Sequence, residues 1–399
     1  MGFKYLLLIL SIIVLSFVFY KQYNFGKQWR KEGMTTDTDA CPDYSKADFM
    51  NLPLKEYCIK SSFNSAYDGN GSYVTSKDVL LQRIKEGYRF IDLNVFSASG
   101  DVYVGFDINN SPTMVSGDLK LFDALKTIGE NAFSSTNSDF TTEKMKNVGS
   151  YPVFVHIRVY RPPGSTIDII SNVANIITGA SNGSSPSPPP FKVNYLLNPD
   201  GKPKQINSCT ILSEIMGKMI FSMDILNVLE IYAPSNNQTA NAILEKQDAY
   251  TTLPSMQSFV NVLTGGNTIP AFYKYTDETI INRTMQLGPG DGILDGSLKT
   301  NVKYMYIAFP HPNDVKKKNT IDSSNSKETG VIQPDIDVFI LHRSIQIIPL
   351  RVYLGDDSNG NGNLTKYNNI FETVGYPFAA MAHVYTQLKP DATNPTKSP

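Results

Sequence analysis

Short apolar runs alternate with amphipathic stretches from about residue 55 to about residue 385, and that alternation limits the chain to a few architectures. Ser76-Lys77-Asp78 opens an amphipathic helix that runs through Glu86 and stops at Gly87, with Ser76 as N-cap. A strand follows at 90–95 and a shorter one at 102–106. The pattern then predicts a helix over 119–132, a strand over 153–159 and a helix over 166–178. Residues 179–190, GASNGSSPSPPP, are a loop by composition. Strands reappear at 218–223, 304–309 and 345–353, and a helix at 364–374 and a strand at 379–384 complete the pattern. Such alternation predicts an α/β fold with parallel strands and helical crossovers. A closed barrel and an open doubly wound sheet both satisfy it. No GxGxxG or GxxxxGK[ST] follows a strand, which disfavours nucleotide-binding forms of the open sheet.

Ahead of this domain, Tyr5 to Tyr20 reads YLLLILSIIVLSFVFY, with no charge and no helix breaker. It is a little short of the ~20 apolar residues that cross a bilayer, unless its flanks snorkel. Tyr5, Phe17, Phe19 and Tyr20 sit where interfacial aromatics belong. A cleaved signal peptide is the competing reading, but no small-x-small site follows. A buried core helix usually shows a polar face, and this segment has none. The expectation is therefore a single-pass membrane anchor over residues 1–31 with a tether over 32–50. Lys21, Lys27, Arg30 and Lys31 follow the apolar run while only Lys4 precedes it, which places the large domain on the cytoplasmic side. Gly2 suggests myristoylation, but Leu6 stands where Ser or Thr is required.

The formal net charge is −1, so nothing marks a basic face for nucleic acid. Lys316-Lys317-Lys318 is a solvated loop in the plainer reading. Cys41, Cys58 and Cys209 are too few for a disulfide framework, although a Cys41–Cys58 bridge fits an oxidising setting. No CxxC or Cys/His cluster proposes zinc. Six N-x-Ser/Thr sequons are what so Asn-rich a chain produces by chance, and they do not settle the compartment.

Several segments occur in an order that resembles the X and Y halves of the phosphoinositide-specific phospholipase C family. Ser61-Ser62-Phe63-Asn64-Ser65-Ala66-Tyr67 is similar to its SSHNTY, and residues 87–94 (GYRFIDLN) to G-x-R-x-[IL]-E-L-D. Tyr103-Val104-Gly105-Phe106 stands where Y-H-G-H is found, and residues 151–158 resemble YPVILSLEN. Gly217-Lys218-Met219-Ile220 is similar to G-K-I-L, residues 321–325 to the DSSN region, residues 345–350 to GCQIVAMN, and Leu388-Lys389-Pro390 to the terminal LKP. The resemblance implies a TIM-type (β/α) barrel over residues 51–390, with an X-like half at about 51–225, a Y-like half at about 295–390 and a tail at 391–399. Its site would lie at the C-terminal ends of the strands.

The resemblance also implies which chemistry to look for. Cleaving a phosphodiester beside an inositol hydroxyl needs a base, an acid and positive charge on the phosphorane. The family supplies two histidines and a calcium ion held by Asn, Glu, Asp and Glu. Here Phe63 and Val104 stand at the histidine positions, and neither carries a proton. At the calcium positions Asn64 is kept, Asp92 replaces Glu, Asn94 replaces Asp, and Arg158 replaces the last Glu. A guanidinium repels a divalent cation, so the calcium site is expected to be lost, with Arg158 paired to Asp92. Ser222-Met223-Asp224 replaces a lysine-bearing K-G-K segment, while Ser323 and Ser324 keep the positions of a head-group contact. A serine pair in a loop is more often a turn than a ligand. His156 shares a strand face with Arg158, and a hydrogen-bonded core histidine is its plainer reading. Of the other histidines, His311, His342 and His383, the first two fall in loop or strand-edge positions.

Two functions follow as expectations. The first is a catalytically silent, membrane-anchored barrel with a binding or structural role, whose partner is a phospholipid head group or a protein. A virion membrane is one setting it allows. The second is an active phosphoric diester hydrolase with a rearranged site, in which Arg158 supplies charge and His156 acts as base.

Overall fold

The computed structural model describes residues 48–69, 74–98, 100–108, 111–113, 119–136, 140, 144–160, 169–179, 190–224, 258–264, 273–276, 305–309, 320–321, 328–329, 336–341, 345–356 and 363–388. The chain divides into two units, Met1–Asp43 and Tyr44–Pro399, and every described residue belongs to the second. The expected anchor, most of the tether, Ser323, Ser324, His311, His342 and the tail lie outside the described residues.

In chain order the domain runs through β1 (Tyr57–Ile59), β2 (Ser61–Ser62), α1 (Lys77–Lys85), β3 (Phe90–Ala98), β4 (Asp101–Ile108), β5 (Ser111–Thr113) and α2 (Leu121–Asn131). It continues with β6 (Val153–Tyr160), α3 (Ile169–Thr178), β7 (Met219–Asp224), β8 (Val262–Thr264), β9 (Tyr273–Thr276) and β10 (Tyr306–Phe309). A two-stranded pair, β11 (Thr320–Ile321) and β12 (Glu328–Thr329), precedes α4 (Ile336–Leu341), α5 (Asn363–Val374), β13 (Phe378–Ala380) and α6 (Met381–Leu388). Helix α1 starts where Ser76 predicts: the Ser76 hydroxyl accepts from the amides of Asp78 and Val79 at 3.1 and 3.4 Å. It stops before Gly87, whose φ of +83° suits glycine.

Strands β2, β3, β6, β7 and β8 pair in parallel, each with the next. Single parallel bridges extend the series: Ser62 with Leu350, Ile59 with Ile347, and Ile347 with Ile307, which lies in β10. Strand β10 in turn pairs in parallel with β9. Strands β4 and β5 depart from the parallel pattern, folding back antiparallel on β3 as a hairpin extension.

Strand periodicity divides the apolar side chains between two cores. Ile91, Leu93, Val95, Val155, Ile157 and Phe221 pack with helix residues such as Leu80, Ile84, Leu125 and Val173. Alternate residues, Phe90, Phe154, Ile220, Val262, Ile307 and Ile347, form the second core on the other face. Burial on both faces explains why these strands read as near-continuous apolar runs.

Two segments differ from the sequence expectation. The strand expected over 379–384 holds only for its first two residues: β13 ends at Ala380, and Met381, Val384 and Leu388 are buried at the spacing of a helix face. Among the described residues, 345–353 bridge at Ile347 and Leu350 and then enter a 3-10 turn at Val352–Leu354. Pro349 has no N–H to donate, which interrupts a ladder there.

Arg89 ties the start of β3 to the loops below it. Fully buried, it donates from Nε and Nη2 to the Val148 carbonyl at 3.1 and 2.7 Å and from Nη2 to the Ala132 carbonyl at 3.1 Å. The adjoining Gly149 passes so near Ser134 that a Cβ would lie 1.8 Å from the Ser134 carbonyl oxygen. Backbone cannot yield as a flexible side chain can, so Gly149→Ala is expected to cost about 2 kcal/mol or more. Denaturant unfolding checks this, as a lower midpoint at unchanged slope.

Candidate functional site

Above the apolar layer of Phe90, Phe154 and Ile220, the same strand face turns polar. Register places Asp92 beside His156 and His156 beside Ser222, with Asn94 beside Arg158 one step further along. Because these strands are parallel, both polar layers lie on the C-terminal side of the Phe90–Phe154–Ile220 layer. Ligand sites of α/β sheets form at that end.

The turn after β2 contributes the next part. Asn64 has φ of +44°, a left-handed conformation uncommon outside glycine and better tolerated by Asn. Its amide donates to Asp92 Oδ2 at 2.9 Å. The Ser65 hydroxyl accepts from the Asp92 amide at 2.9 Å, so the turn and β3 are locked together.

Arg158 closes this arrangement. Its Nε donates to Asp92 Oδ1 at 2.9 Å and its Nη2 to Asp92 Oδ2 at 2.8 Å, a two-point pair. Nη2 also donates to the side-chain oxygen of Asn64 at 2.6 Å. The Asp92 side chain is wholly buried, and that of Arg158 is 16% exposed. The guanidinium stands 4.5 Å from the centroid of the Phe63 ring, a cation–π distance. A second buried arginine, Arg351, stands over the same ring at 5.8 Å. Arg351 follows Pro349-Leu350 at the end of the last parallel segment, and the sequence reading did not single it out.

His156 is fully buried one layer below Arg158. Its Nδ1 shares a hydrogen bond with the Ser222 hydroxyl at 3.0 Å, and its ring stacks on Phe90 with centroids 5.4 Å apart. Asn94 is buried, and its Nδ2 has no hydrogen-bond partner among the described residues. Val104 is not at this site. It lies opposite Val95 in the β3–β4 ladder, so the two side chains share a face, and both belong to the core under the helices. Val104, which the resemblance sets at a histidine position of the site, therefore lies on the opposite strand face from Asn94 and Arg158. The β4 residues that share the Asn94 face are Tyr103 and Gly105. The Phe96 ring fills the space over Gly105, where a Cβ would come within 2.4 Å of it, and stacks on Tyr103 with centroids 6.0 Å apart.

Residues 50–161 match the family described as phosphatidylinositol-specific phospholipase C, X domain. That span contains Phe63, Asn64, Asp92, Asn94, His156 and Arg158. PLC21 of L. pealei superposes with a TM-score of 0.52 at 16% identity, over 84% of this chain and 38% of its own. PLC21 of S. officinalis gives 0.51 at 15% identity, over 86% and 39%. The chain has the fold of the phospholipase C-like phosphodiesterases. Its phospholipase C-like domain spans about two fifths of the length of those two proteins. No curated protein matches it by sequence. The matched span supplies Asn64, Asp92, Asn94, His156 and Arg158 of this polar cluster, whereas Ser222 and Arg351 come from further along the chain.

Proposed function

We propose that this chain is a phospholipase C-like barrel that does not turn over phosphodiesters and serves as a binding or structural protein at a membrane. The seven parallel junctions that link β8, β7, β6, β3, the β1–β2 segment, residues 347–350, β10 and β9 support closure of the strands into a barrel. The apolar run from Tyr5 to Tyr20 supports the membrane anchor.

The observation that carries the loss of turnover is the two-point Arg158–Asp92 pair with Asn64 as third partner. Two of the positions that the family resemblance assigns to calcium are satisfied here by a guanidinium. Calcium takes six to eight oxygens, mostly anionic, and these residues offer one carboxylate already neutralised by a fixed cation. The residues do not fit the ion. Phe63 brings a ring rather than a proton carrier to its position. His156 is sealed a layer below and engaged with Ser222, which disfavours it as the base of a rearranged hydrolase.

The test is turnover of phosphatidylinositol and of glycerophosphodiesters by the full chain, with and without calcium. Neither substrate is expected to be consumed above the protein-free rate. Turnover that is lost in Arg158→Ala or His156→Ala would establish the hydrolase instead.

A further inference from the structure

Lys60 stands at the break between β1 and β2 and is only 2% exposed. Its backbone is fixed on both sides. The Lys60 amide donates to the Pro377 carbonyl at 3.0 Å, and the Lys60 carbonyl accepts from the amides of Arg89 and Phe90 at 2.8 and 3.1 Å. The side chain reaches the C-terminal end of α1. There Nζ donates to the carbonyl of Glu86, the C-cap residue, at 2.8 Å and lies 4.7 Å from the centroid of the Tyr88 ring.

The charges around this ammonium are committed elsewhere. From α1, the Glu86 carboxylate is paired with Arg83 at 2.8 Å. From α5, the Glu372 carboxylate is paired with Lys144 at 2.7 Å. From the residues leading into β3, Arg89 adds a like charge, and the Tyr88 hydroxyl donates to Asn368 Oδ1 at 3.2 Å. Among the described residues, Lys60 therefore forms no ion pair. An ammonium has three N–H donors and a strong hydration shell. Here one carbonyl, a helix C-terminus and an aromatic face stand in for that shell. A neutral amine keeps the bond to the Glu86 carbonyl without the cost of burying a charge.

We propose that Lys60 is a proton-release switch at the junction of α1, the start of β3 and α5, which is held more firmly when this amine is neutral than when it is charged. Burial pulls its pKa down from 10.5 to about 8, against the weaker opposing pull of Glu86 and Glu372. The unfolded chain keeps the proton to the ordinary value, so opening takes up a proton between those limits. The cost of the buried charge is present in full below about pH 8 and is relieved as the pH rises above it. Arg89, also lowered by burial to about 9, acts in the same direction at higher pH. Cys58 and the tyrosines Tyr57, Tyr88, Tyr151 and Tyr367 are raised by burial and oppose the rise once their unfolded forms ionise, from 9.0 and 10.0 upward. The window from pH 7 to pH 9 therefore reads Lys60 above the rest. This inference is independent of whether the site turns over substrate.

Urea unfolding of the full chain at pH 7, 8 and 9 tests it, beside Lys60→Met and Lys60→Gln, the second of which keeps a neutral donor. The native midpoint is expected to rise across this window, and the midpoints of both variants are not. Native-state hydrogen exchange needs no variant. The amides of Glu86, Gly87 and Tyr88 donate to the carbonyls of Gln82, Ile84 and Arg83. Their protection, corrected for the intrinsic rate, is expected to increase about tenfold from pH 7 to pH 9. A native midpoint that stays level or falls, a variant that keeps the rise, or unchanged protection at these three amides would overturn the inference.

Discussion

Asp92→Ala is expected to destabilise the domain by about 3–5 kcal/mol, the range for breaking a buried ion pair from one side. The Asp92 side chain is wholly buried and bonds Arg158 through both oxygens. Removing it leaves a largely buried guanidinium with the Asn64 carbonyl oxygen as an acceptor. It also removes the acceptor of the Asn64 amide, in a residue already held at a positive φ. Arg158→Ala should cost a similar amount, because a carboxylate is then buried without its cation. The double change Asp92→Leu with Arg158→Met should be milder than either single change, since a well-packed apolar pair removes both desolvation penalties. Denaturant unfolding of the four proteins gives the coupling directly. A single-mutant loss below about 1 kcal/mol is the behaviour of an exposed pair and would contradict the structure's central contact.

Arg89→Ala is the second large effect, at about 4 kcal/mol. Truncating a fully buried long side chain leaves a cavity, which for large-to-small core changes costs about 2–5 kcal/mol. The Val148 and Ala132 carbonyls also lose their donor. Burial works against the charge of Arg89, pulling its pKa down to about 9, so these carbonyls are what holds the cation in place. Arg89→Lys should recover less than half of the loss, because one ammonium does not reproduce the planar fork that reaches both carbonyls. Thermal and urea unfolding would show it, and full recovery by lysine would refute the argument.

How far the sequence carried depends on which physical signal each residue leaves. The α1 cap was legible because Ser76 and Gly87 act locally. Strands β3 and β6 were legible as apolar runs buried on both faces. Asp92, Asn94, His156 and Arg158 were legible together because two parallel strands with period 2 place them on one face. The position of Val104 was not, since the register between β3 and β4 is set by a hairpin, and a slip of one residue reverses every side chain. The sequence pattern extends the last strand over 379–384, whereas a helix begins at Met381, because a short apolar run does not distinguish strand from buried helix. Arg351 was hidden by the irregular backbone after Pro349, where no periodicity predicts a facing direction. Cys58 is a free, buried thiol, so the Cys41–Cys58 bridge that the sequence allowed does not form, because β1 is covered in a way that cysteine spacing does not encode.

The account rests on a guanidinium standing where a metal ion would need oxygen ligands. Calorimetric titration of the full chain with calcium tests it most directly, beside Arg158→Glu, which restores a carboxylate to that position. The account predicts no heat of binding for the native protein at calcium up to the millimolar range. Micromolar calcium binding that Asp92→Asn abolishes would contradict it.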